Sequence, residues 1–165
     1  TAYVRGQVYF ERDILAPQLE RLNVQAFRYD GYVARISSMK SYFNENMKML
    51  DDVNVDALFS AGNPIYTKIR DDNPARYING SKVSNIMAAD GCIIEGEVEN
   101  SILFRGVKVG KGAWVKNCVL MQDTVIEADA GVEYVVTDKN ATITRGKIIK
   151  GTVTFPVYVA KYQIV

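Results

Sequence analysis

The chain has 165 residues, and 48% of them are hydrophobic, which is enough for a packed core. Its 20 basic and 19 acidic residues leave a net charge of +1, so it carries no electrostatic footprint for nucleic acid or an anionic membrane. The sequence has no histidine, the commonest general base and metal ligand. Two cysteines outside any CxxC spacing, no signal peptide and no long apolar run predict a reduced, cytoplasmic protein.

The N-terminal third mixes helix and strand patterns. Residues 13–22 carry leucines at helical spacing, although Pro17 leaves the start of that helix open. Residues 24–29 alternate in the way typical of a strand, and residues 32–36 follow an Asp-Gly turn as the returning strand of a hairpin.

A second helix is predicted next, with Ser37 or Ser38 as its N-cap and an end near Leu50. A short amphipathic segment follows it. Residues 61–80 are predicted to be a linker that holds one strand, Ile65 to Ile69, because Gly, Pro, Asn and Asp dominate the rest of the segment.

From about Ser81 the sequence repeats at an interval of 17 residues: Glu-Asn-Ser-Ile-Leu at 99–103 is answered by Lys-Asn-Cys-Val-Leu at 116–120. Three apolar columns result: Cys92, Val109, Ile126 and Ile143; Val98, Val115, Val132 and Ile149; and Ile102, Val119, Val136 and Val153. Three further columns hold small or turn-forming residues: Gly96, Ala113 and Ala130; Gly106, Asp123 and Asn140; and Gly112, Asp129 and Gly146.

This interval indicates short strands joined by tight corners. Helical hairpin repeats need about 33 residues and leucine-rich repeats about 20, whereas apolar positions six apart suit a three-sided coil. The sequence therefore predicts a mainly β protein, in which 1–60 form a small α/β part and 81–165 a parallel β-helix of the hexapeptide type. About five coils at ~4.8 Å each would stand roughly 24 Å tall. The apolar tail, 155–165, is expected to be the last coil, covered by a partner.

Few side chains in the repeat are candidates for chemistry. Cys92 falls in an apolar column and Cys118 shares a column with Ser101 and Val135, so both are predicted to be core residues. They lie at different places around the coil, so no disulfide is expected between them. The missing histidine argues against the acyltransferase chemistry of many hexapeptide proteins and, with scattered carboxylates, against a zinc site. Trp114 is expected to point outward beside a corner, either packing on the preceding domain or forming a protein interface.

Two stretches, residues 31–50 and the repeat from 83 onward, resemble a known family, glucose-1-phosphate adenylyltransferase, also called ADP-glucose pyrophosphorylase. Residues 31–50, GYVARISSMKSYFNENMKML, are similar to the end of its catalytic domain. Residues 83–110 and the segment TDKNATI at 137–143 resemble its C-terminal left-handed β-helix. The resemblance runs from about Asp13 to the end. It implies a left-handed parallel β-helix beside the remnant of a nucleotidyltransferase domain, in a chain that lacks the N-terminal nucleotide-binding half.

The departures from the family pattern point to one subtype. Arg35 occupies the position of a magnesium-binding Asp in the family, and Mg²⁺ requires oxygen ligands. Ser37 and Ser38 replace a Gly-Thr pair, and Val33 replaces an aromatic residue. These changes resemble the GlgD-type subunit, which implies a non-catalytic role for the chain, no cofactor in it, and Mg²⁺ only in a catalytic partner.

The resemblance also implies a regulatory site. In the family, a basic residue after an Asp points into a groove that binds anionic effectors; here that residue is Lys139, and Arg145 is a second candidate for the same effector. The alternative is that both residues are solvated charges at corners and bind no effector.

The chain is therefore expected to be the C-terminal β-helix part of a regulatory subunit that forms a hetero-oligomer with a catalytic subunit. An active sugar-phosphate nucleotidyltransferase and a purely structural oligomerisation module remain alternatives.

Overall fold

The structure is a computed structural model that describes residues 6–59, 62, 64–67 and 69–165. The chain forms two compact units, a small one ending at Gly31 and a larger one from Tyr32 to Val165. Among the described residues, no helix has the length and apolar character needed to cross a membrane.

Among the described residues of the first unit, 6–31, the regular elements are helical turns. A π-type turn, Phe10–Leu15, continues into a 3₁₀ turn, Ala16–Gln18. Pro17 lies in this second turn and lacks the N–H that an α-helix needs, so the predicted helix appears only as irregular turns.

The predicted hairpin of 24–29 and 32–36 is wrong. Neither segment is a strand, and Phe27 and Val33 are 88% and 74% exposed. An extended segment needs a neighbouring strand for its backbone groups, and the sheets of the described residues offer none here.

The two helices of the larger unit agree with the sequence. Helix α1 (Met39–Met47) begins at Ser38, whose hydroxyl accepts from the N–H of Ser41 at 3.1 Å while the hydroxyl of Ser41 accepts from the N–H of Ser38 at 2.9 Å. This reciprocal pair satisfies two N–H groups that the first turn leaves without partners. A 3₁₀ turn, Lys48–Leu50, leads into α2 (Asp52–Leu58).

From Arg76 onward the chain winds into a parallel β-solenoid, which confirms the predicted hexapeptide β-helix. Its strands are β1 (Arg76–Tyr77), β2 (Lys82–Ala88), β3 (Ile93–Ile94), β4 (Glu97–Leu103), β5 (Lys108–Val109), β6 (Trp114–Lys116), β7 (Val119–Leu120), β8 (Val125–Ile126), β9 (Gly131–Glu133), β10 (Val135–Thr137), β11 (Thr142–Ile143), β12 (Ile148–Lys150) and β13 (Val157–Val159). One sheet has the order β1-β3-β5-β8-β11 and the other β12-β9-β6-β4-β7-β10-β13, with β2 paired to β4.

The first paired strand, β1, lies inside the segment predicted as a linker, 61–80. The strand predicted at 65–69 is absent from the residues described there. The proposed division of the chain at residues 60 and 80 stays a prediction.

The core consists of inward-facing columns, and one predicted column is wrong at its first member. Ile94, not Cys92, pairs with Val109, because the coil that runs from Ile94 to Val109 is two residues shorter than the coil from Val109 to Ile126. Cys92 is nevertheless fully buried, as predicted, one position before the strand pair. The column of Val98, Val115 and Val132 is confirmed.

The third apolar column faces outward rather than into the core. Val119 and Val136 are buried because Phe43 of α1 packs on them, with Tyr134 at a ring-to-ring distance of 6.2 Å from Phe43. The predicted end of this column is also wrong. Tyr158 pairs with Val136, whereas Val153 is 54% exposed in a longer last coil.

The predicted corners are confirmed by their backbone. All six residues in the two turn columns have φ between 57° and 74°, the left-handed region that Gly, Asn and Asp tolerate best. A third corner, which the predicted columns do not include, holds Asn85, Asn100, Asn117 and Tyr134 in the same conformation. Asparagine recurring at 100 and 117 was the sequence signal for it.

Candidate functional site

Lys139, the first candidate effector residue, occupies a corner whose backbone is fixed on both sides. Its N–H donates to Oδ1 of Asp138 at 2.7 Å, and its carbonyl oxygen accepts from the N–H of Tyr162 at 3.2 Å. The next residue, Asn140, takes φ 58° to turn the chain into β11. The side chain of Lys139 itself is exposed, so the corner presents a cation on a hydrogen-bonded backbone.

Asp138 connects this corner to two other elements. Its Oδ2 accepts from the hydroxyl of Tyr158 in β13 at 3.1 Å, and this bond raises the pKa of Tyr158. On α1, burial raises the pKa of Tyr42, and the nearby charge of Asp138 adds to the effect. The residue beside Lys139 therefore lies within electrostatic reach of both the last coil and α1, a relation that sequence spacing did not indicate.

Arg145 lies at the opposite end of β11 from Lys139. Its N–H donates to Oε2 of Glu127 at 2.9 Å, its side chain is exposed, and Gly146 turns the chain immediately after it. The two candidate effector residues thus sit at different corners of the same coil.

A recess of about 1340 Å³ opens on the Gly146 side of the solenoid, and Arg145 and Trp114 both line it. Its shape follows from one shortened corner: four positions separate Ile94 from Val98, against six from Val109 to Val115 in the coil above. Gly96 makes this short path possible, because a Cβ there would overlap the carbonyl oxygen of Ala113. The close spacing of Ile94 and Val98 was the sequence signal for this shortened corner.

The solenoid side beside this recess carries an ordered set of outward residues, which we call the charged face. It consists of one column with Lys82, Glu97, Trp114, Gly131 and Ile148, and a second with Ser84, Glu99, Lys116, Glu133 and Lys150. The second column alternates in sign from Glu99 to Lys150.

Ion pairs join neighbouring coils across the charged face. Nζ of Lys116 lies 3.2 Å from Oε2 of Glu99, and Nζ of Lys150 lies 3.3 Å from Oε2 of Glu133. In a parallel in-register sheet identical charges would stack at ~4.8 Å, so alternation removes a repulsion that this fold would otherwise create.

Trp114 lies flat on the charged face. A Cβ on Gly131 would overlap its indole ring, so the ring covers that glycine, and Nζ of Lys150 lies 5.1 Å from the ring centroid. The predicted outward orientation is therefore correct. Its interaction with a preceding domain or a partner stays a prediction.

Arg35 lies on an exposed segment between Tyr32 and α1. Tyr32 anchors the start of this segment by donating from its hydroxyl to Oε2 of Glu45 at 2.7 Å. In the part of the chain that the structure describes, no group of three or more Cys, Asp or Glu residues is placed to hold a metal ion. A guanidinium at position 35 does not fit Mg²⁺, which binds through oxygen.

Both cysteines are buried and free, as predicted. Burial raises the pKa of Cys118 to about 12 and also raises that of Cys92. Thiols held neutral in this way are poor nucleophiles, so neither is a candidate catalytic residue.

Comparisons with known proteins agree with this architecture. Residues 69–152 match the family model described as GlmU-like, C-terminal hexapeptide. The chain is 40% identical over 140 residues to the glycogen biosynthesis protein GlgD of Bacillus subtilis, covering 85% of this chain and 41% of that protein.

Two proteins of Geobacillus stearothermophilus are also similar. Its GlgD is 50% identical over 70 residues, covering 42% of this chain and 20% of that protein. Its glucose-1-phosphate adenylyltransferase is 38% identical over 110 residues, 65% of this chain and 28% of that protein. The chain therefore spans less than half the length of each of these relatives.

Proposed function

We propose that this chain, which belongs to the GlmU-like C-terminal hexapeptide family and is homologous to GlgD, is the C-terminal part of a regulatory, non-catalytic subunit of glucose-1-phosphate adenylyltransferase. In this proposal the intact protein assembles in the cytoplasm with a catalytic subunit and supports ADP-glucose synthesis for glycogen. The observation that carries the proposal is Arg35, a cation at the position where the family resemblance implies a magnesium-binding carboxylate.

The Lys139 corner supports a regulatory role. A hydrogen-bonded backbone presents the ammonium group, and Asp138 next to it contacts Tyr158 and acts electrostatically on Tyr42 of α1. Because α1 follows the segment that contains Arg35 and belongs to the same remnant of the catalytic domain, an anion bound at Lys139 would act on that remnant through α1.

An activity assay tests the non-catalytic role. The full-length protein alone should form no ADP-glucose from ATP and glucose 1-phosphate with Mg²⁺, and adding it to the catalytic subunit should change the response of that subunit to effectors. Arg35→Asp, which restores a carboxylate, is the matched variant, and Arg35→Lys is the control that keeps the charge. Pyrophosphate release by the unmodified full-length protein at rates comparable with the catalytic subunit would contradict the proposal.

A ligand experiment separates regulation from scaffolding. Inorganic phosphate or glucose 1-phosphate should raise the melting temperature of the chain, and Lys139→Ala should abolish the shift. Lys108→Ala is the control, because Lys108 is another exposed lysine, on β5, which β8 separates from β11. Arg145→Ala tests whether the second candidate contributes from its own corner.

A purely structural oligomerisation module is the second candidate. The exposed apolar side chains of the last coil favour it, with Phe155 at 79% and Ile164 at 73% exposure. It predicts assembly with the catalytic subunit but no thermal shift with phosphate or glucose 1-phosphate.

The third candidate is an active sugar-phosphate nucleotidyltransferase. The likeness to a glucose-1-phosphate adenylyltransferase supports it, and Arg35 opposes it. The activity assay above decides between this candidate and a regulatory subunit.

A further inference from the structure

The alternating column of the charged face is complementary to itself in only one relative orientation. Along the solenoid axis it runs Glu99, Lys116, Glu133, Lys150, one residue per coil. If a second copy lay face to face with its axis parallel, each residue would meet its own equivalent, and four pairs of like charge would result.

An antiparallel second copy gives the opposite result. A two-fold axis that lies in the face, perpendicular to the solenoid axis, reverses the order of the coils and leaves each column opposite itself. Glu99 then faces Lys150 of the second copy, and Lys116 faces Glu133. All four positions become opposite-charge pairs, and closed two-fold symmetry limits the assembly to a dimer.

Trp114 lies at the centre of this arrangement. It belongs to the coil of Lys116, and its ring extends over Gly131 in the coil of Glu133, so it sits at the midpoint of the ladder. The two-fold axis passes between these coils and would bring the two indole rings together. In protein interfaces, a few aromatic residues near the centre usually contribute much of the binding energy, and polar or charged residues surround them.

We propose that the charged face is a homodimer interface, in which two copies of this chain pack antiparallel through the Glu99–Lys150 ladder with Trp114 at the two-fold axis. Four coils at ~4.8 Å make a small, polar contact, so the dimer is weak and salt-sensitive. This association is separate from the proposed assembly with a catalytic subunit.

Sedimentation equilibrium of the chain alone tests the interface, with no catalytic subunit present. We expect reversible dimerisation that weakens at least about tenfold between about 50 and 500 mM NaCl, as screening shortens the Debye length. Lys116→Glu and Trp114→Ala should each weaken the dimer by about tenfold or more. Lys108→Glu is the control, an exposed charge reversal on the other sheet. Circular dichroism verifies that each variant is folded.

A fully reversed ladder tests the orientation. The variant Glu99→Lys, Lys116→Glu, Glu133→Lys, Lys150→Glu keeps the alternation within the chain and the complementarity to itself, so it should dimerise as tightly as the original. Mixed with the original chain at low salt, it should form no mixed dimers, because like charges would then face each other in the antiparallel arrangement.

Three outcomes overturn the proposal. The first is a chain that remains monomeric at millimolar concentration. The second is a dimer whose affinity changes neither with salt nor with Lys116→Glu. Preferential mixed dimers would show that the copies pack parallel. Failure of any of these tests leaves the proposed regulatory role intact, because that role depends on Arg35 and Lys139.

Discussion

Asn85 and Asn100 occupy equivalent corners one coil apart and are joined by a hydrogen bond of 2.7 Å from Nδ2 of the first to Oδ1 of the second. Asn100 in turn donates to Oδ1 of Asn117, and all three residues have φ between 47° and 51°. Asparagine tolerates the left-handed backbone at each of these corners, and its side chain bonds to the asparagine of the next coil. These hydrogen bonds offset part of the conformational cost of the corner.

Substitutions at Asn100 separate these two contributions. Asn100→Ala should lower the free energy of unfolding by about 2 kcal/mol, since it loses the amide bonds and places a Cβ in the left-handed region. Asn100→Gly loses only the bonds and should cost about 1 kcal/mol. Urea unfolding measures both, and equal losses would show that backbone conformation contributes nothing.

Gly96 makes the shortened corner possible. Gly96→Ala should destabilise the solenoid by about 3 kcal/mol or more, because the new Cβ would overlap the backbone oxygen of Ala113, which cannot move without breaking a strand. Gly62→Ala is the control, as nothing lies within 4 Å of a Cβ placed there. A similar melting temperature for both variants would contradict the prediction.

Helix α1 depends on Phe43 for its position on the solenoid. Phe43 is 4% exposed and packs on Val119 and Val136. Phe43→Ala should cost about 3 kcal/mol and speed hydrogen exchange in α1 while the solenoid strands stay protected. Lys40→Ala, an exposed change on the same helix, should leave exchange unaltered. Uniform loss of protection throughout the larger unit would instead mean that helix and solenoid unfold together.

The free energy of unfolding should fall at alkaline pH because the Cys118 thiol is buried. Its folded pKa is about 12 against an ordinary value of 9.0, so the neutral thiol stabilises the fold fully below pH 9 and loses that contribution as pH rises toward 12. The loss is on the order of 1 kcal/mol per pH unit in this window. Cys118→Ala should be less stable at pH 7, and its deficit should shrink above pH 9. Parallel curves of unfolding free energy against pH would refute the assignment.

The sequence alone determined the solenoid. The sequence has a 17-residue period, with an apolar column at Val98, Val115 and Val132 and a column of turn-forming residues that includes Gly112 and Asp129. Few folds can bury the apolar column and also bend the chain at every turn-forming residue. The helix beginning at Ser38 was equally local, since the capping bonds involve residues three apart. Periodicity and capping depend on residues that are close together in the chain, so they can be predicted from the sequence alone.

Register, and which outer surfaces are covered, required the tertiary structure. The loss of two residues before Val98 shifted Cys92 out of its predicted column, and the insertion around Val153 placed Tyr158 at the end of another. Val119 and Val136 looked like core residues yet face α1, and the strands expected near Phe27 had no partner. These outcomes depend on which distant segments meet, and burial against such a segment looks the same in the sequence as burial in the core.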